Sequence, residues 1–403
     1  MGGSLPTPAE AEARIRECLR ALPVETRPLT ALAGAILGEP IHAERDQPPF
    51  DRVAMDGIAL ASGAWTQGRR RFRIAGVQPA GRRALALESS DDCIEAMTGA
   101  VLPAGCDAVV PVERLRITDG WAEVADDVPV APGLNVHVRA HDGRAGDLLL
   151  APGTRLGGPE VAIVASAGRD SARVHAEPRI AVVSTGDELV DADRPIEAWQ
   201  VRRSNPAALR ATLSVRGLGR VTEDHVPDDP STMRDRLAEH LASHDVLVLS
   251  GGVSMGRYDH VPAVMAALGV REVLHKVAQR PGKPLWFGVS GHGQPVFGLP
   301  GNPVSAIVCL VRYVVPALEA MQGAPARAPA RLPLDEPFAV RPPLSYFVPV
   351  RIEHREDGSV SARPRPTQGS GDFISLAGTD GFVELPPGPV ELAAGTLVPF
   401  RPW

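Results

Sequence analysis

The sequence predicts a multidomain protein of the α+β and α/β classes, built around a doubly wound, mostly parallel β-sheet. Residues 178–321 alternate apolar strand candidates with Gly- or Pro-containing loops and helical stretches, a pattern typical of parallel sheets covered by helices on both faces. On either side, short apolar runs separated by Gly, Pro and Asp indicate β-rich units. The chain of 403 residues is long enough for roughly two to four domains.

Composition excludes several classes of protein. The net charge of −6 and the aromatic content of 4% argue against a nucleic-acid-binding surface. The four cysteines are scattered without zinc spacing, so neither structural zinc nor a disulfide framework is expected. The most apolar run, VSAIVCLVRYVVPAL, is interrupted by Arg312 and Pro316 and is too short to span a membrane. We expect a cytoplasmic protein with no nucleic-acid or membrane partner.

The first helix begins at Thr7, which can cap it, with Pro8 at the first helical position and Glu10 completing a capping box. Short strand-like runs such as RFRIAGV then predict a β-rich domain over 46–144. A helix-compatible run within 151–173 is expected to pack beside the N-terminal helix. Residues 1–45 and 145–176 would then form one split domain of mixed structure.

The alternating region predicts an α/β domain over 177–325. The segment GAPARAPARLPLDEP is rich in Pro and Ala and is typical of a linker. Runs such as LSYFVPVRIE and TLVPFRPW predict a small C-terminal β-domain over 330–403.

Three strand ends of the α/β domain lead into Gly- or Pro-rich loops, at 184–188, 250–254 and 299–305. Ligands of open α/β sheets bind beyond the carboxyl ends of the strands, and glycines let an anion approach backbone N–H groups. One such loop is weak evidence, but three on one sheet edge predict a binding site. The candidate substrate-binding residues are Thr185, Gly186, Ser250, Gly251, Gly252, Ser254, Pro300, Gly301, Asn302, Pro303 and Ser305.

Basic and acidic side chains sharpen this hypothesis. The chain has two lysines, Lys276 and Lys283, and both lie in HKVAQRPGKP with Arg280 between them. They are either solvated surface residues or, as we favour, a phosphate-binding group.

Three carboxylates, Asp187, Glu188 and Asp259, lie in or just after the loops. They are either helix caps or surface residues, or they are ligands of a Mg²⁺ ion that also binds the substrate phosphate. The histidines show no ligand spacing and are interpreted as surface or polar-core residues.

Several ordered motifs resemble those of one family, the molybdopterin molybdenumtransferases or MoeA-type proteins. PPFDRVAMDGIAL (48–60) and MTGAVLPAGCDAVVPVE (97–113) are similar to two of its motifs. VVSTGDEL, SGGVSMGRYD, KVAQRPGKPLWFG, VFGLPGNPVSA and QGSGDFISLAGTDGFVELPPG follow in the family's order. The resemblance covers nearly the whole chain.

The resemblance implies a molybdopterin-binding α/β domain in a homodimer, with each active site shared between subunits. It implies that molybdate and adenylylated molybdopterin are the substrates, with Mg²⁺ as cofactor, and that molybdenum cofactor and AMP are the products. Asp56, Glu188, Asp259 and Lys276 match catalytic positions, and Thr98, Asp142, Asp228, Pro300 and Pro303 match substrate-binding positions. Glu188 and Asp259, with Asp187, would organise the metal, whereas Lys276, Arg280 and Lys283 would hold phosphate and molybdate.

The chain departs from the family pattern at several positions. Arg280 replaces a lysine, Arg257 replaces an acidic residue, and His137 and His141 stand in a segment usually richer in Arg and Glu. These changes keep open a non-catalytic pterin-binding or scaffold protein. Molybdopterin adenylyltransferase is a second alternative, although it would need neither PFDRVAMDG nor the C-terminal domain. Molybdopterin adenylyltransferase and the enzymes that accept the cofactor are possible partners by resemblance.

Overall fold

The N-terminal segment begins with a capped helix. The computed structural model describes residues 4–253 and 259–403. Thr7 Oγ1 accepts a hydrogen bond from the Glu10 backbone N–H, and the Glu10 carboxylate accepts one from the Thr7 N–H, which confirms the predicted capping box. The elements here are α1 (Pro8–Glu17), β1 (Val24–Pro28), a 3₁₀ turn (Leu29–Ala31) and β2 (Ile41–His42).

The second segment forms a β-rich unit, as its short apolar runs predict. Its elements are β3 (Arg52–Val53), β4 (Gly57–Leu60), α2 (Ser62–Thr66), β5 (Arg71–Gln78), β6 (Asp92–Ala96), β7 (Ala108–Pro111), a 3₁₀ turn (Val112–Arg114), β8 (Leu115–Thr118), β9 (Trp121–Val124) and β10 (Val136–His137). Six of the strands form one sheet in the order β7-β4-β6-β5-β9-β8. Strand β10 pairs with β3 and brings residues 136–137 beside 52–53.

The chain then returns to the N-terminal segment through β11 (Leu148–Leu150), α3 (Gly158–Ser166) and β12 (Ser171–His175). Strand β12 pairs antiparallel with β1, and β11 pairs with β2. Helix α3 packs in this core through Val164. Helix α1 does not share that core, because Ala11 and Ile15 pack against the α/β domain instead. The expected packing of the 151–173 helix beside the N-terminal helix is therefore wrong.

The third segment is the predicted α/β domain. Its strands are β13 (Arg179–Thr185), β14 (Leu189–Val190), β15 (Val201–Arg202), β16 (Arg220–Val226), β17 (Val246–Ser250), β18 (Arg271–His275), β19 (Gln279–Arg280), β20 (Trp286–Val289) and β21 (Pro295–Leu299). Its helices are α4 (Asn205–Val215), α5 (Pro230–Ser243), α6 (Val261–Ala267), α7 (Pro303–Cys309) and α8 (Val315–Met321), with a π-helical turn at Leu310–Val314.

Six strands form the central sheet in the order β16-β13-β17-β21-β20-β18. The pairs β16-β13, β13-β17 and β17-β21 are parallel, whereas β20 and β18 add an antiparallel edge. Alternate residues of β13 face different cores: Ile180 packs with α4, α7 and α8, and Ala181 packs with α5 and α6. Helices on both faces confirm the doubly wound fold.

Residues 303–321 form one long apolar helix that runs from α7 to α8. By length and composition it could cross a membrane, but 78% of its most apolar window is buried inside the protein. Its side chains pack against the central sheet, α1 and the C-terminal segment. It is therefore a core helix, and its apolar character is explained by burial on several sides.

The C-terminal segment forms the predicted small β-domain. Its elements are β22 (Ala330–Pro333), β23 (Phe338–Val340), β24 (Ser345–His354), β25 (Val360–Pro364), a 3₁₀ turn (Ile374–Leu376), β26 (Gly381–Leu385), β27 (Val390–Leu392) and β28 (Leu397–Pro402). Strand β19 of the α/β domain pairs with β24, which ties the two domains together. This contact brings the C-terminal domain next to the loop between β18 and β20.

Candidate functional site

The carboxyl ends of β13, β17 and β21 open into a cavity of about 590 Å³, which we call the sheet-edge cavity. All three predicted loops contribute to its wall, as the parallel register of the strands requires. Of the predicted residues, the wall contains Thr185, Gly186, Glu188, Asp228, Ser250, Gly251, Gly252, Asp259, Pro300, Gly301, Asn302 and Pro303. Ser254 and Arg257 lie outside the described residues.

Two glycines of this wall have positive φ angles, at which an L side chain is strained. Gly251 has φ +101°, and a Cβ there would lie 2.7 Å from the backbone oxygen of Thr185. Gly186 has φ +138°, and a Cβ would lie 2.7 Å from a carboxylate oxygen of Glu188. The backbone is therefore exposed to the cavity at both positions, which suits close approach of an anionic ligand.

The hydroxyl of Thr185 is buried without a hydrogen-bond partner among the described residues. Thr185 lines the cavity and is only 4% exposed, so contact with bulk solvent does not explain its unpaired oxygen. Ser250, on the neighbouring strand, accepts a hydrogen bond from the amide Nδ2 of Asn205 at 2.8 Å. An unpaired buried hydroxyl in a cavity wall indicates a polar ligand that supplies the missing contact.

Carboxylates crowd one side of the cavity. Glu188, Asp228 and Asp259 all line it. Burial raises the pKa of Asp228, and the neighbouring Asp187 and Glu188 carboxylates raise it further, although the backbone contact with Asp187 opposes this. Like charges held this close favour a cation between them.

Asp187 has a different position from its acidic neighbours. It is not part of the described cavity wall, and its Oδ1 accepts a hydrogen bond from the Asp228 backbone N–H at 3.0 Å. This contact ties the loop after β13 to the loop after β16. The geometry therefore gives Asp187 a loop-bridging contact, whereas its predicted role as a metal ligand stays a prediction.

A second cavity of about 440 Å³ adjoins the first, and we call it the basic cavity. The two cavities share Pro284, Pro300 and Asn302 in their walls. Arg280, Lys283 and Ser305 line the basic cavity, so these three predicted residues lie together. Guanidinium, ammonium and hydroxyl groups are donors suited to an oxyanion.

Lys276 is separated from its basic neighbours. Among the described residues, it belongs to the wall of neither cavity. Its backbone N–H donates to the Leu285 carbonyl at 2.8 Å, and its φ of +72° marks a tight turn at the base of the loop. Sequence proximity to Lys283 thus did not bring both ammonium groups to one cavity.

Asp56 and Thr98 meet on the β-rich domain, 42 residues apart in sequence. The Thr98 backbone N–H and hydroxyl both donate to Asp56 Oδ1 at 2.6 Å. These two hydrogen bonds lower the pKa of Asp56 and keep its carboxylate ionised at neutral pH. Asp56 lines a separate cavity of about 190 Å³, so neither residue contributes to the sheet-edge cavity of its own chain.

Asp142 lies on the same domain between two histidines. His137 Nε2 and His141 Nδ1 are 2.9 Å and 3.1 Å from its Oδ1. Hydrogen bonds from His141 and His137 lower the pKa of Asp142. His141 is a surface residue, as expected from the sequence, and the loop also brings its ring and that of His137 to one carboxylate.

Sequence reasoning missed a polar segment of the sheet-edge cavity. Arg202, Arg203, Ser204 and Asn205 line it, and Asn205 Nδ2 also donates to the Gly301 carbonyl at 2.7 Å. The Asn-Pro pair at the start of α4 was the available signal, because it places polar groups at a helix N-terminus.

The contribution of the C-terminal domain was missed as well. Thr367, Ser370 and Tyr346 line the basic cavity, and Ser370 Oγ accepts a hydrogen bond from Asn302 Nδ2 at 2.8 Å. Gly371 reaches the sheet-edge cavity. The Gly- and Ser-containing segment QGSG was the signal in the sequence.

Family models match three successive parts of the chain. Residues 7–168 match the MoeA N-terminal region, comprising its domains I and II. Residues 181–320 match a molybdopterin-binding domain described as probable, and residues 331–403 match the MoeA C-terminal region, its domain IV. The sheet-edge cavity thus lies mainly in the second match, and Ser370 lies in the third.

Curated relatives and solved structures agree with these models. The chain is 40% identical over 371 residues to a molybdopterin molybdenumtransferase of Synechocystis sp., covering 92% of this chain and 93% of the relative. It is 34% identical to one of Synechococcus elongatus, covering 94% of each chain. The crystal structure of a molybdopterin biosynthesis MoeA protein from Pyrococcus horikoshii has a TM-score of 0.80 at 29% identity, over 99% of both chains.

Proposed function

The chain belongs to the MoeA family of molybdopterin molybdenumtransferases, which insert molybdenum into molybdopterin in molybdenum cofactor biosynthesis, and we propose that it uses molybdate and adenylylated molybdopterin as substrates. Water would cleave the phosphoanhydride that joins AMP to the pterin phosphate, and the two dithiolene sulfurs would replace one oxide of molybdate, which leaves as water. The observation that carries this proposal is the pair of adjoining cavities, one lined by glycine loops and carboxylates and the other by basic groups.

The sheet-edge cavity has the features of a site for the pyrophosphate-bearing substrate. Gly251 and Gly186 expose backbone to the ligand, and Thr185 Oγ1 offers an unused donor and acceptor. Asn205 and Ser250 hold each other in place at the end of the neighbouring strand. These residues would bind and orient the phosphates before the phosphoanhydride is cleaved.

The acidic residues of this cavity fit a divalent cation. Glu188, Asp228 and Asp259 supply oxygen ligands, the kind that Mg²⁺ prefers, and the pKa of Asp228 is raised mainly by burial and further by the Asp187 and Glu188 carboxylates. Bound Mg²⁺ would neutralise phosphate charge that builds up as the phosphoanhydride is cleaved. Without a cation, these carboxylates would repel the same phosphates that Gly186 and Gly251 admit.

The basic cavity is suited to molybdate, a tetrahedral dianion. Arg280 and Lys283 supply positive charge, and Ser305 and Ser370 supply hydroxyl groups. Because Pro300 and Asn302 belong to both walls, an oxyanion here would lie beside a ligand in the sheet-edge cavity. Adjacent binding of the two substrates would favour transfer of molybdenum between them.

We propose a homodimer in which Asp56 and Thr98 complete the partner's site. Within one chain these residues lie in a different cavity from Glu188. Asp56 is nevertheless held in one position as a carboxylate by two hydrogen bonds from Thr98, as a residue prepared for a ligand would be. The enzyme would act in the cytoplasm, receiving its substrate from molybdopterin adenylyltransferase and passing its product to cofactor-accepting enzymes.

The test is release of AMP from adenylylated molybdopterin with Mg²⁺, measured with and without molybdate. We expect molybdate-dependent release by the purified chain, and a loss of about 100-fold in the Glu188→Ala variant, as for other preorganised charged groups. Glu239→Gln, an exposed carboxylate on α5, is the control and should retain the wild-type rate.

The alternatives predict other outcomes. A scaffold protein would bind the pterin without molybdate-stimulated AMP release, and a wild-type rate in Glu188→Ala would overturn the proposed role of that residue. A molybdopterin adenylyltransferase would produce the adenylylated pterin from ATP. The matches at 7–168 and 331–403 argue against this last alternative, because that activity needs neither region.

A further inference from the structure

The loop after β10 brings three potential metal ligands to one point on the β-rich domain. His137, His141 and Asp142 each offer one ligand atom, and these atoms all lie within 4.8 Å of one another. The side chain of His137 is 27% exposed, that of His141 70% and that of Asp142 50%. The cluster is therefore accessible to a metal ion from solvent, and His137 is its least exposed member.

The backbone of this loop is fixed by the segment that precedes β3. The Asp142 N–H donates to the Gln47 carbonyl at 2.8 Å, and the Ala140 N–H donates to the Pro48 carbonyl at 3.0 Å. Ala140 adopts φ +61°, a conformation that costs energy for a residue with a Cβ. This turn brings the ring centroid of His141 to 5.1 Å from that of His137. The approach of the two histidines is therefore set by the backbone of the loop.

We propose that His137, His141 and Asp142 form a binding site for a divalent transition metal ion of the zinc class. Two imidazoles and one carboxylate are ligands typical of Zn²⁺ and Co²⁺, whereas Mg²⁺ prefers oxygen ligands alone. Metal–ligand bonds of about 2.0–2.1 Å in a tetrahedron separate the ligand atoms by about 3.3 Å. The separations of 2.9 Å and 3.1 Å between Asp142 Oδ1 and the two histidine nitrogens need to widen by only a few tenths of an ångström, and the two histidine nitrogens lie within 4.8 Å of each other.

Arg52 competes with the metal for the same histidine. Its Nη2 donates to His137 Nδ1 at 2.9 Å, so in the metal-free protein the ring carries its proton on Nε2, the atom that faces Asp142. A metal on Nε2 displaces that proton, and neutral His137 then carries a proton on Nδ1 instead. Arg52 must therefore move away when the metal binds, and its positive charge also opposes a cation.

Within one chain the site is separate from the proposed magnesium site, and it does not rest on the transferase function. Its ligands lie on the β-rich domain, and none of them lines the sheet-edge cavity. Three protein ligands leave at least one coordination position for water or for another group. A bound metal would also occupy the Asp142 carboxylate, the residue that the family resemblance assigns to substrate binding.

The test is titration of the full chain with Co²⁺, followed by its visible absorption and by calorimetry. We expect one Co²⁺ per chain and an absorption band typical of nitrogen and oxygen ligands in low coordination. His137→Ala and His141→Ala should each weaken binding by at least about tenfold, since even outer-sphere partners are worth that much. His354→Ala, an exposed histidine of β24, is the matched control and should bind as the wild type does. Excess Mg²⁺ should not displace the Co²⁺.

Arg52→Gln tests the mode of binding, because it removes the competing guanidinium while all three ligands remain. We expect tighter Co²⁺ binding by this variant, with unchanged stoichiometry and an unchanged circular dichroism spectrum. Equal affinities in the wild type, His137→Ala and His141→Ala would overturn the proposal, as would displacement by Mg²⁺. Absence of saturable binding in both the wild type and Arg52→Gln would overturn it as well.

Discussion

At the scale of single residues, Asp228 shows how ionisation of a partly buried carboxylate lowers the stability of the folded protein. Its carboxylate is partly buried and lies near Asp187 and Glu188, and burial is the main reason that its pKa is raised. Below its ordinary pKa of 3.8, Asp228 is protonated in both the folded and the unfolded chain. As the pH rises through the raised value, the folded protein loses the advantage of holding that proton.

Asp228→Asn should therefore stabilise the protein at neutral pH and impair its activity. We expect the melting temperature at pH 7 to rise by about 1–2 °C, the effect of a screened, partly exposed charge on a domain of this size. The gain should decrease as the pH falls through the raised pKa of Asp228 and disappear below 3.8, where Asp228 is protonated in both the folded and the unfolded chain. Thermal unfolding across this range measures both effects.

Thermal unfolding in the presence of Mg²⁺ tests whether the cation binds near Asp228. If the cation binds at the acidic side of the cavity, it should stabilise the wild type more than Asp228→Asn. Equal stabilisation of both proteins by Mg²⁺ would place the cation elsewhere. Glu239→Gln is again the control for removal of an exposed carboxylate.

The sequence predicted that acidic side chains would lie together at this site, but it did not predict which basic side chains would join them. Glu188, Asp228 and Asp259 line one cavity, as expected for groups at neighbouring strand ends. Lys276 lies outside the described walls, although it is only seven residues from Lys283 in sequence. Lys276 has a positive φ, and its backbone N–H pairs with the Leu285 carbonyl at the base of the loop that carries Lys283.

At the scale of elements, the loops after parallel strands depend on backbone conformations that only glycine adopts easily. Gly251 has φ +101° and lies against the backbone oxygen of Thr185. Gly269, just after the end of α6, has φ +77°, but a Cβ added there would have no neighbouring atom within 4 Å. An alanine at Gly269 would therefore introduce backbone strain alone, whereas an alanine at Gly251 would introduce both backbone strain and a steric clash.

Gly251→Ala should cost more stability than Gly269→Ala. We expect about 1 kcal/mol for the control, from left-handed backbone alone, and about 2–3 kcal/mol for Gly251→Ala, where Thr185 must also move. Unfolding by denaturant measures the difference. Binding of the adenylylated pterin should weaken in Gly251→Ala and not in Gly269→Ala, whereas equal losses of stability would argue against the close contact with Thr185.

The strand and helix patterns were predictable because they arise from neighbouring residues. Alternation of apolar strands and Gly-rich turns over 178–321 produces the doubly wound sheet that the structure contains. The packing of α1 was not predictable in this way. Ala11 and Ile15 could pack against any apolar surface. In the structure they pack in the core that contains Tyr313 and Leu318.

At the scale of the whole molecule, an ion triad around a buried arginine joins three parts of the chain. Arg312, in the long core helix, donates to Glu12 of α1 at 2.6 Å and to Glu384 of β26 at 3.0 Å. The Arg312 side chain is only 4% exposed. Charges buried in this way must be paired, so the triad couples the N-terminal helix and the C-terminal domain to the central sheet.

Arg312→Met should destabilise the protein by about 1–2 kcal/mol, because Glu12 and Glu384 lose their shared buried partner. Among the described residues, they keep only the more distant Arg16 and Arg401. Adding Glu12→Gln and Glu384→Gln should recover much of the loss. Arg234→Ala, which breaks an exposed pair with Asp235, is the control and should cost less than about 0.5 kcal/mol. A loss no larger in Arg312→Met than in Arg234→Ala would contradict the coupling.

The shared active site of the proposed dimer can be tested by mixing two inactive variants. Asp56→Asn and Glu188→Gln should each be inactive alone. Randomly assembled mixed dimers would contain one site with both native residues, so an equimolar, co-refolded mixture should regain about a quarter of the wild-type activity. No recovery, with mixed dimers verified by differential tagging, would place Asp56 and Glu188 in the same subunit's site.

Local sequence determined the order of the domains, the strand ends that carry glycine loops and the kinds of charge at the site. These features depend on residues close together in the chain, whose periodicity and conformational preferences act before the chain is folded. Only the tertiary structure decided that Asn205 reaches Ser250, that Ser370 meets Asn302, and that His137 and His141 converge on one carboxylate. Such contacts follow from strand register, domain packing and single tight turns, which no short segment specifies by itself.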